Sequence, residues 1–268
     1  MDLLNQTIAD IQSLKIQGAQ GVAEAGLKAW KAAKDKKNAA KLLLNARPTE
    51  PMLKNILVLL NKGVSTGKIL KKLKEDKKKI YRVGAKLIKN GSIVFVHCHS
   101  SIVLGILKEA KKQGKKFEVH NTETRPLYQG RITSRELARA GIKVTYYTDS
   151  SAMLAMKKAN LFLFGSDAVT SKGSYNKIGT GMFAEVAATY FKIPVYSCTH
   201  SWKVADSVEV EQLSRKDIWP EAPKEVEIHN PAFELAEAKF ITGLVSELGV
   251  LSVKDFVKKA KQSLEKVK

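Results

Sequence analysis

The chain has 268 residues, of which 44% are hydrophobic and 27% charged, a composition that excludes a disordered or low-complexity protein and allows one large domain or two unequal ones. No apolar stretch approaches the roughly 20 residues of a membrane span, and Met1-Asp2-Leu3-Leu4-Asn5-Gln6 lacks the basic start and apolar core of a signal peptide. Two cysteines, Cys98 and Cys198, exclude a disulfide framework and predict a cytoplasmic protein with no membrane partner.

The formal charge of +20 is unevenly spread: residues 1–90 hold 20 Lys/Arg against 7 Asp/Glu. Charge of this kind fits a solvated lysine face, a nucleic-acid surface or a field that captures a small phosphorylated substrate. Few aromatic residues interleave the lysines, which disfavours nucleic acid.

Residues 1–88 predict a small all-helical N-terminal domain. Leu3, Leu4, Ile8, Ile11 and Leu14 recur at helical spacing. After Gly18-Ala19-Gln20-Gly21, an Ala-rich pattern resumes from Val22 to Leu44, and Arg47-Pro48-Thr49-Glu50-Pro51 breaks it. Two further helices are expected over 52–62 and 67–89. Residues 89–268 change to strand–helix alternation, with strands expected at 92–97, 116–121, 142–148, 160–165 and 193–198. Helices are expected between them at 101–113, 133–140, 150–158 and 180–191, and a last one in the tail from Val250. This alternation predicts α/β architecture, a Rossmann-like parallel sheet covered by helices on both faces.

The strand ends carry the chemistry. Ser92-Ile93-Val94-Phe95-Val96 runs into His97-Cys98-His99-Ser100, and Leu161-Phe162-Leu163-Phe164 runs into Gly165-Ser166-Asp167. Ligands of open parallel sheets sit outside the carboxyl ends of the strands. A helix opening after Ser100 would aim its free amides at the first strand end and lower the Cys98 thiol pKa. Desolvation would raise the pKa of Asp167 toward the range of general acid–base work, although a carboxylate there could equally cap a helix. His97 and His99 fall on the side of an extended strand opposite Cys98, and His120, His200 and His229 show no ligand spacing, so no metal is expected. The glycine-rich stretch Gly173–Gly181 reads as a loop entering a helix, whose amides with Lys177 could hold phosphate; it is not a P-loop. Cys198 reads as structural, and Trp30, Trp202 and Trp219 form no usable pattern.

Four ordered motifs carry a resemblance: Glu123-Thr124-Arg125-Pro126-Leu127-Tyr128-Gln129-Gly130, Gly165-Ser166-Asp167, Asn176-Lys177-Ile178-Gly179-Thr180 and Asn230-Pro231-Ala232-Phe233. In order and spacing they resemble the superfamily that joins aldose-phosphate isomerases to the regulatory alpha, beta and delta subunits of translation initiation factor 2B. His97-Cys98-His99-Ser100 looks most like the archaeal ribose-1,5-bisphosphate isomerases. The resemblance implies conversion of ribose 1,5-bisphosphate, or a related aldose 1-phosphate, to the ketose phosphate, with no cofactor. It makes Cys98 and Asp167 the catalytic pair, the thiolate removing the C2 proton and Asp167 moving protons between O1 and O2. It places Gln17, Gly18, Ala19, Arg47, Ser100, Gln129, Asn176 and Lys177 on phosphate and sugar oxygens. Gln17 stands where the isomerases usually have Arg. The resemblance also implies a homodimer or hexamer, a place in nucleotide salvage, and leaves a nucleotide activator open. The other reading is a non-catalytic regulatory subunit of the initiation-factor type.

Overall fold

The computed structural model describes residues 2–13, 15–16, 18–47 and 50–267; Leu14, Gln17, Pro48 and Thr49 of the patterns above lie outside them. The helical half opens with α1 (Leu3–Gln12), where the Asp2 carboxylate accepts the Asn5 N–H and so closes the first turn. The Ala-rich stretch, expected to be helical throughout, is two helices, α2 (Ala19–Ala32) and α3 (Lys36–Ala46). Ala33 turns extended, and Asp35 starts the second helix by accepting from the Asn38 N–H. Then come α4 (Pro51–Asn61), with proline at its first turn, and α5 (Thr66–Ala85), capped by Ser65.

The α/β half follows in the order β1 (Ser92–His97), α6 (Ser101–Lys112), β2 (Phe117–Thr122), α7 (Gln129–Arg139), β3 (Lys143–Tyr147), α8 (Ala152–Met156), β4 (Leu161–Gly165), β5 (Ala168–Thr170), β6 (Gly173–Lys177), α9 (Thr180–Thr189), β7 (Val195–Cys198), β8 (Phe233–Glu237), β9 (Gly243–Ser246), β10 (Gly249–Leu251) and α10 (Val253–Lys266). Every expected strand is present within two residues of its predicted ends. The main sheet runs β10-β9-β7-β4-β1-β2-β3, parallel except for the β9–β10 hairpin. Chain order thus reverses between β1 and β4, which is the point where a ligand crevice forms in a doubly wound sheet.

Alternation within the strands divides the interior in two. Phe95, Phe162 and Phe164 pack with Phe183 and Phe256 under α8, α9 and α10. Val94, Val96, Leu161 and Leu163 face the other way, against α6, α7 and the distal half of α5. Because helices cover both faces, the two central strands are continuously apolar over Ile93–Val96 and Leu161–Phe164. A third cluster fills the helical half around Ile11, Leu27, Leu43, Leu53 and Ile56. Trp202, from just after β7, plugs this cluster at 0% exposure and fastens the two halves together. Asn55 of α4 completes the fastening by donating to the carbonyls of Trp202 and Val204.

The stretch read as a glycine-rich loop is instead largely a strand. β6 pairs antiparallel with β5 and with β8 in a second, three-stranded sheet. Gly173-Ser174-Tyr175-Asn176-Lys177 has no apolar alternation, because its buried side chains are polar, Asn176 and Lys177 in the cleft and Ser174 against Ser197. Among the described residues, no helix is long and apolar enough to cross a membrane.

Candidate active site

A cleft of about 540 Å³ opens over the ends of β1 and β4, floored by the strand ends and walled by the first helices. Its size suits a small ligand. Cys98 and Asp167 both line it, with Gly18, Ala19, Arg47, Ser100, Gln129, Asn176 and Lys177. The structure therefore brings together every described residue that the resemblance assigned to catalysis or substrate; Gln17 lies outside the described residues.

Cys98 leaves β1 in a left-handed conformation, φ 68°, which turns its side chain out of the sheet at a real backbone cost for a non-glycine residue. The turn is held from both sides. The Cys98 N–H donates to Thr124 Oγ1 (2.9 Å), and the Cys98 carbonyl accepts from Thr133 Oγ1 (2.9 Å). Thr124 is fixed in turn by Asp149, whose two carboxylate oxygens accept the Thr124 and Arg125 N–H groups at 2.8 and 2.7 Å. The Glu123–Arg125 motif thus builds the wall behind the thiol.

The two flanking histidines are struts and sit apart. His97 is buried between Thr122 Oγ1 (2.6 Å) and the Ile178 carbonyl (2.9 Å), so its Nε2 carries the proton and Nδ1 accepts from the hydroxyl. Burial lowers its pKa and keeps it neutral. His99 donates from Nδ1 to Thr133 Oγ1 at 3.2 Å, and burial lowers its pKa too.

The expected lowering of the Cys98 pKa is not what this site does. Burial, and then the negative charge of Asp167, push the thiol up to about 12; the His99 N–H and the Lys177 charge pull the other way and lose. At the α6 N-terminus, which was to supply the positive field, Ser100 Oγ accepts the Val103 N–H at 3.4 Å. Asp167 behaves as expected, its pKa raised by burial against the opposing charges of Lys203, Arg47 and Lys177. It caps no helix: β5 follows it, and its own N–H donates to the Tyr175 carbonyl.

The Asn176 amide donates to Asp167 Oδ2 (3.1 Å) and to the Gly165 carbonyl (3.3 Å), and its oxygen accepts from Thr180 Oγ1 (3.0 Å).

The phosphate-holding role assigned to the amides of the 173–181 stretch also fails. At the start of α9, Glu234 has already taken them, accepting from the N–H groups of Gly179, Gly181 and Met182. The positive charge is supplied by buried side chains instead. Lys177 and Lys203 are 5% and 6% exposed, and burial lowers both pKa values against the pull of Asp167. Lys203, whose Nζ donates to the Ser166 carbonyl, is a site residue that sequence reasoning placed in the candidate strand-end segment Thr199–Lys203 without giving it a role. Its only signal was its place in the polar segment after the fifth expected strand. Lys15 and Lys77 add charge at the outer wall. Gln129 Oε1 is buried and has no partner, as expected of a group awaiting a ligand hydroxyl.

His200, without ligand spacing in the sequence, comes within 4.8 Å of Asp76 and Glu247. This cluster closes on itself: His200 Nε2 and Lys72 Nζ both contact Asp76 Oδ2, at 3.2 and 2.8 Å, while Glu247 accepts the Ser201 N–H. It ties α5 to the β7 end.

An α/β sheet with a Cys/Asp pair and a lysine-lined cleft at its switch point defines the class, and the comparisons place the chain within it. The initiation factor 2 subunit family matches residues 16–253, and the chain belongs to that family. It is 33% identical to ribose 1,5-bisphosphate isomerase of Thermococcus kodakarensis, over 81% of this chain and 77% of that protein. With the enzyme of the same name from Methanocaldococcus jannaschii it shares 29% identity over 94% and 92%. A translation initiation factor eIF-2B structure from Pyrococcus horikoshii superposes with a TM-score of 0.82 at 24% identity, over 94% of this chain and 98% of that one, and shares the fold. Kinship over nearly the full length with several such enzymes classes the chain as an isomerase.

Proposed function

We propose that the protein is an aldose–ketose isomerase that converts ribose 1,5-bisphosphate to ribulose 1,5-bisphosphate. The observation that carries this reading is the meeting of Cys98 and Asp167 in one cleft among buried cations. A purely regulatory subunit would leave the strained thiol and its raised carboxyl without a task.

The chemistry follows from the two shifted groups. O1 of this substrate is a phosphate ester and exchanges no proton, so Asp167 serves the ring oxygen O4 and the hydroxyl O2, not O1 as the resemblance first implied. In the working state Asp167 holds the proton and Cys98 is the thiolate. Protonating Asp167 removes the second of the two influences that push the thiol up, after burial, so each form supports the other. The thiolate takes the C2 proton, the C2–H electron pair forms a C1=C2 double bond, the C1–O4 bond breaks, and Asp167 delivers its proton to O4. The product of this step is an enol phosphate. Asp167 then takes the O2 proton, C2=O forms, and the Cys98 thiol returns its proton to C1. Both residues end as they began, and no oxidant is consumed. Arg47, Lys177 and Lys203 neutralise phosphate, while Ser100, Gln129, Asn176 and the Gly18–Ala19 turn position sugar and phosphate oxygens. We further assign the working form as a homo-oligomer in the cytoplasm.

The test is isomerisation of ribose 1,5-bisphosphate followed by phosphorus and proton NMR, with Cys98→Ser and Asp167→Asn beside the parent. The parent turns over, C1 of the product acquires solvent-exchangeable hydrogen, and each substitution lowers kcat by at least about a hundredfold. Folded parent protein that leaves this substrate and other pentose 1-phosphates unchanged would refute the reading in favour of a regulatory subunit.

A further inference from the structure

Glu50 immediately precedes α4, yet its side chain caps nothing in the first turn of that helix. It is 2% exposed, and neither carboxyl oxygen has a hydrogen-bond partner. Beside it Arg47 is also buried, and its Nε and Nη1 have no hydrogen-bond partner either. Arg47 Nε lies 3.6 Å from Glu50 Oε1 and 3.5 Å from Glu211 Oε1, within reach of attraction but too long for hydrogen bonds. Four orphaned polar atoms in one buried knot call for a partner that arrives from outside. The cleft reaches Arg47 and does not reach Glu50. The arriving group therefore meets the guanidinium, with the carboxyl behind it.

The state of that carboxyl decides what the guanidinium offers. An ionised Glu50 would close an internal ion pair, and an incoming anion would have to compete with it. A protonated Glu50 leaves the guanidinium its full charge. The groups facing Glu50 are Arg47, Asp167 from the β4–β5 turn, Lys203 from after β7 and Glu211 from the 204–232 segment. Burial and the charge of Asp167 outweigh the two cations and hold Glu50 up at about 8, so it is protonated at neutral pH.

We propose that Glu50 is a positioning residue for the substrate phosphate: it acts through Arg47, leaving the guanidinium free for phosphate while protonated and capturing it once ionised. The proposal rests on the phosphate-binding part of the reading above and deepens it, by adding an upper pH limit on binding.

Calorimetric titration of inorganic phosphate into the full-length protein, at about pH 7 and about pH 9.5, separates this role from a structural one. The variants are Glu50→Gln, Glu50→Ala and Arg47→Ala. Lys177 and Lys203, whose pKa values burial lowers, contribute an alkaline loss shared by all forms except where the subsite is already lost. Beyond that shared loss, the parent weakens by about a further tenfold relative to both Glu50 variants. Arg47→Ala binds weakly at both values. An alkaline loss of equal size in parent and Glu50 variants overturns the proposal, and so does a folded parent that binds no phosphate at either pH. Turnover is not the readout. Protein that binds phosphate in the expected pattern but isomerises nothing would refute the isomerase reading and leave the role of Glu50 standing.

Discussion

At the scale of the residue, the site works by placing ionisable groups where their ordinary charge states are unwelcome. Cys98 is pushed up and Lys177 is pushed down by the same burial, so each gains from the charged form of the other. Glu50 shows what this costs in stability. Its folded-state pKa of about 8 lies above the value of 4.5 it has in an open chain. Below 4.5 the carboxyl is neutral in both states and folding is not penalised. As pH rises from there to about 8, the unfolded chain ionises while the folded protein does not, and stability falls with rising pH across that window. Glu50→Gln carries no charge in either state. Thermal melts should therefore find this variant several degrees more stable than the parent at about pH 8.5 and little changed near pH 4.5. An equal shift at both values would show that the gain comes from packing and not from the proton.

At the scale of the element, the ends of β1 and β4 must approach each other closely enough for a thiol and a carboxyl to share one substrate. Gly165 makes this approach possible. A Cβ at that position would lie 2.6 Å from both Cβ and Oγ of Ser100, the cap of α6. Gly165→Ala forces the α6 start away from the β4 end, at about 1–3 kcal/mol of stability. Because Ser100 and Cys98 move together, kcat of the isomerisation should fall well beyond what the lost stability explains; unchanged kcat with only a lower Tm would mean that α6 yields without disturbing the site. These strands were readable in the chain because burial on both faces makes their middles continuously apolar, and the helix start at Ser100 was readable by residue type; the break before Asp35 was not, because the Ala-rich pattern runs through it. β6 was not readable. Its buried side chains are polar, two of them lining the cleft and Ser174 bonded to Ser197, so Gly-Ser-Tyr-Asn-Lys carries neither helical nor strand periodicity.

At the scale of the whole molecule, charge and exposed apolar surface point to different partners. Lys15, Arg47, Lys77, Lys177 and Lys203 give the cleft a concentrated positive field within a chain of net charge +20, which favours capture of a phosphorylated ligand. The adjoining helices α8 and α9 expose Met153, Leu154 and Met182, and Tyr190 just after α9 is 70% exposed. Apolar side chains grouped in this way suit a contact with a second copy of the chain. Light scattering at micromolar concentration should give a mass at least twice that of the chain, and Leu154→Glu combined with Met182→Glu should reduce it. A monomeric parent would remove this surface from the assembly.

What the sequence determined alone follows from properties that travel with the chain. Apolar periodicity set the parallel sheet and its covering helices, and the motif order around Glu123–Gly130, Gly165–Asp167 and Asn176–Thr180 pointed to the family and to Cys98 and Asp167. The tertiary structure decided what those residues experience. That burial pushes the Cys98 thiol up, that Glu234 occupies the amides of α9, and that Lys203 and Glu50 arrive from segments 153 residues apart could not be read from spacing. A pKa is set by every charge and every desolvated neighbour within a few ångströms, and those neighbours come from α4, β1, β4, β6 and the β7 end. Local sequence fixes which groups can ionise; only the packed fold decides which of them do.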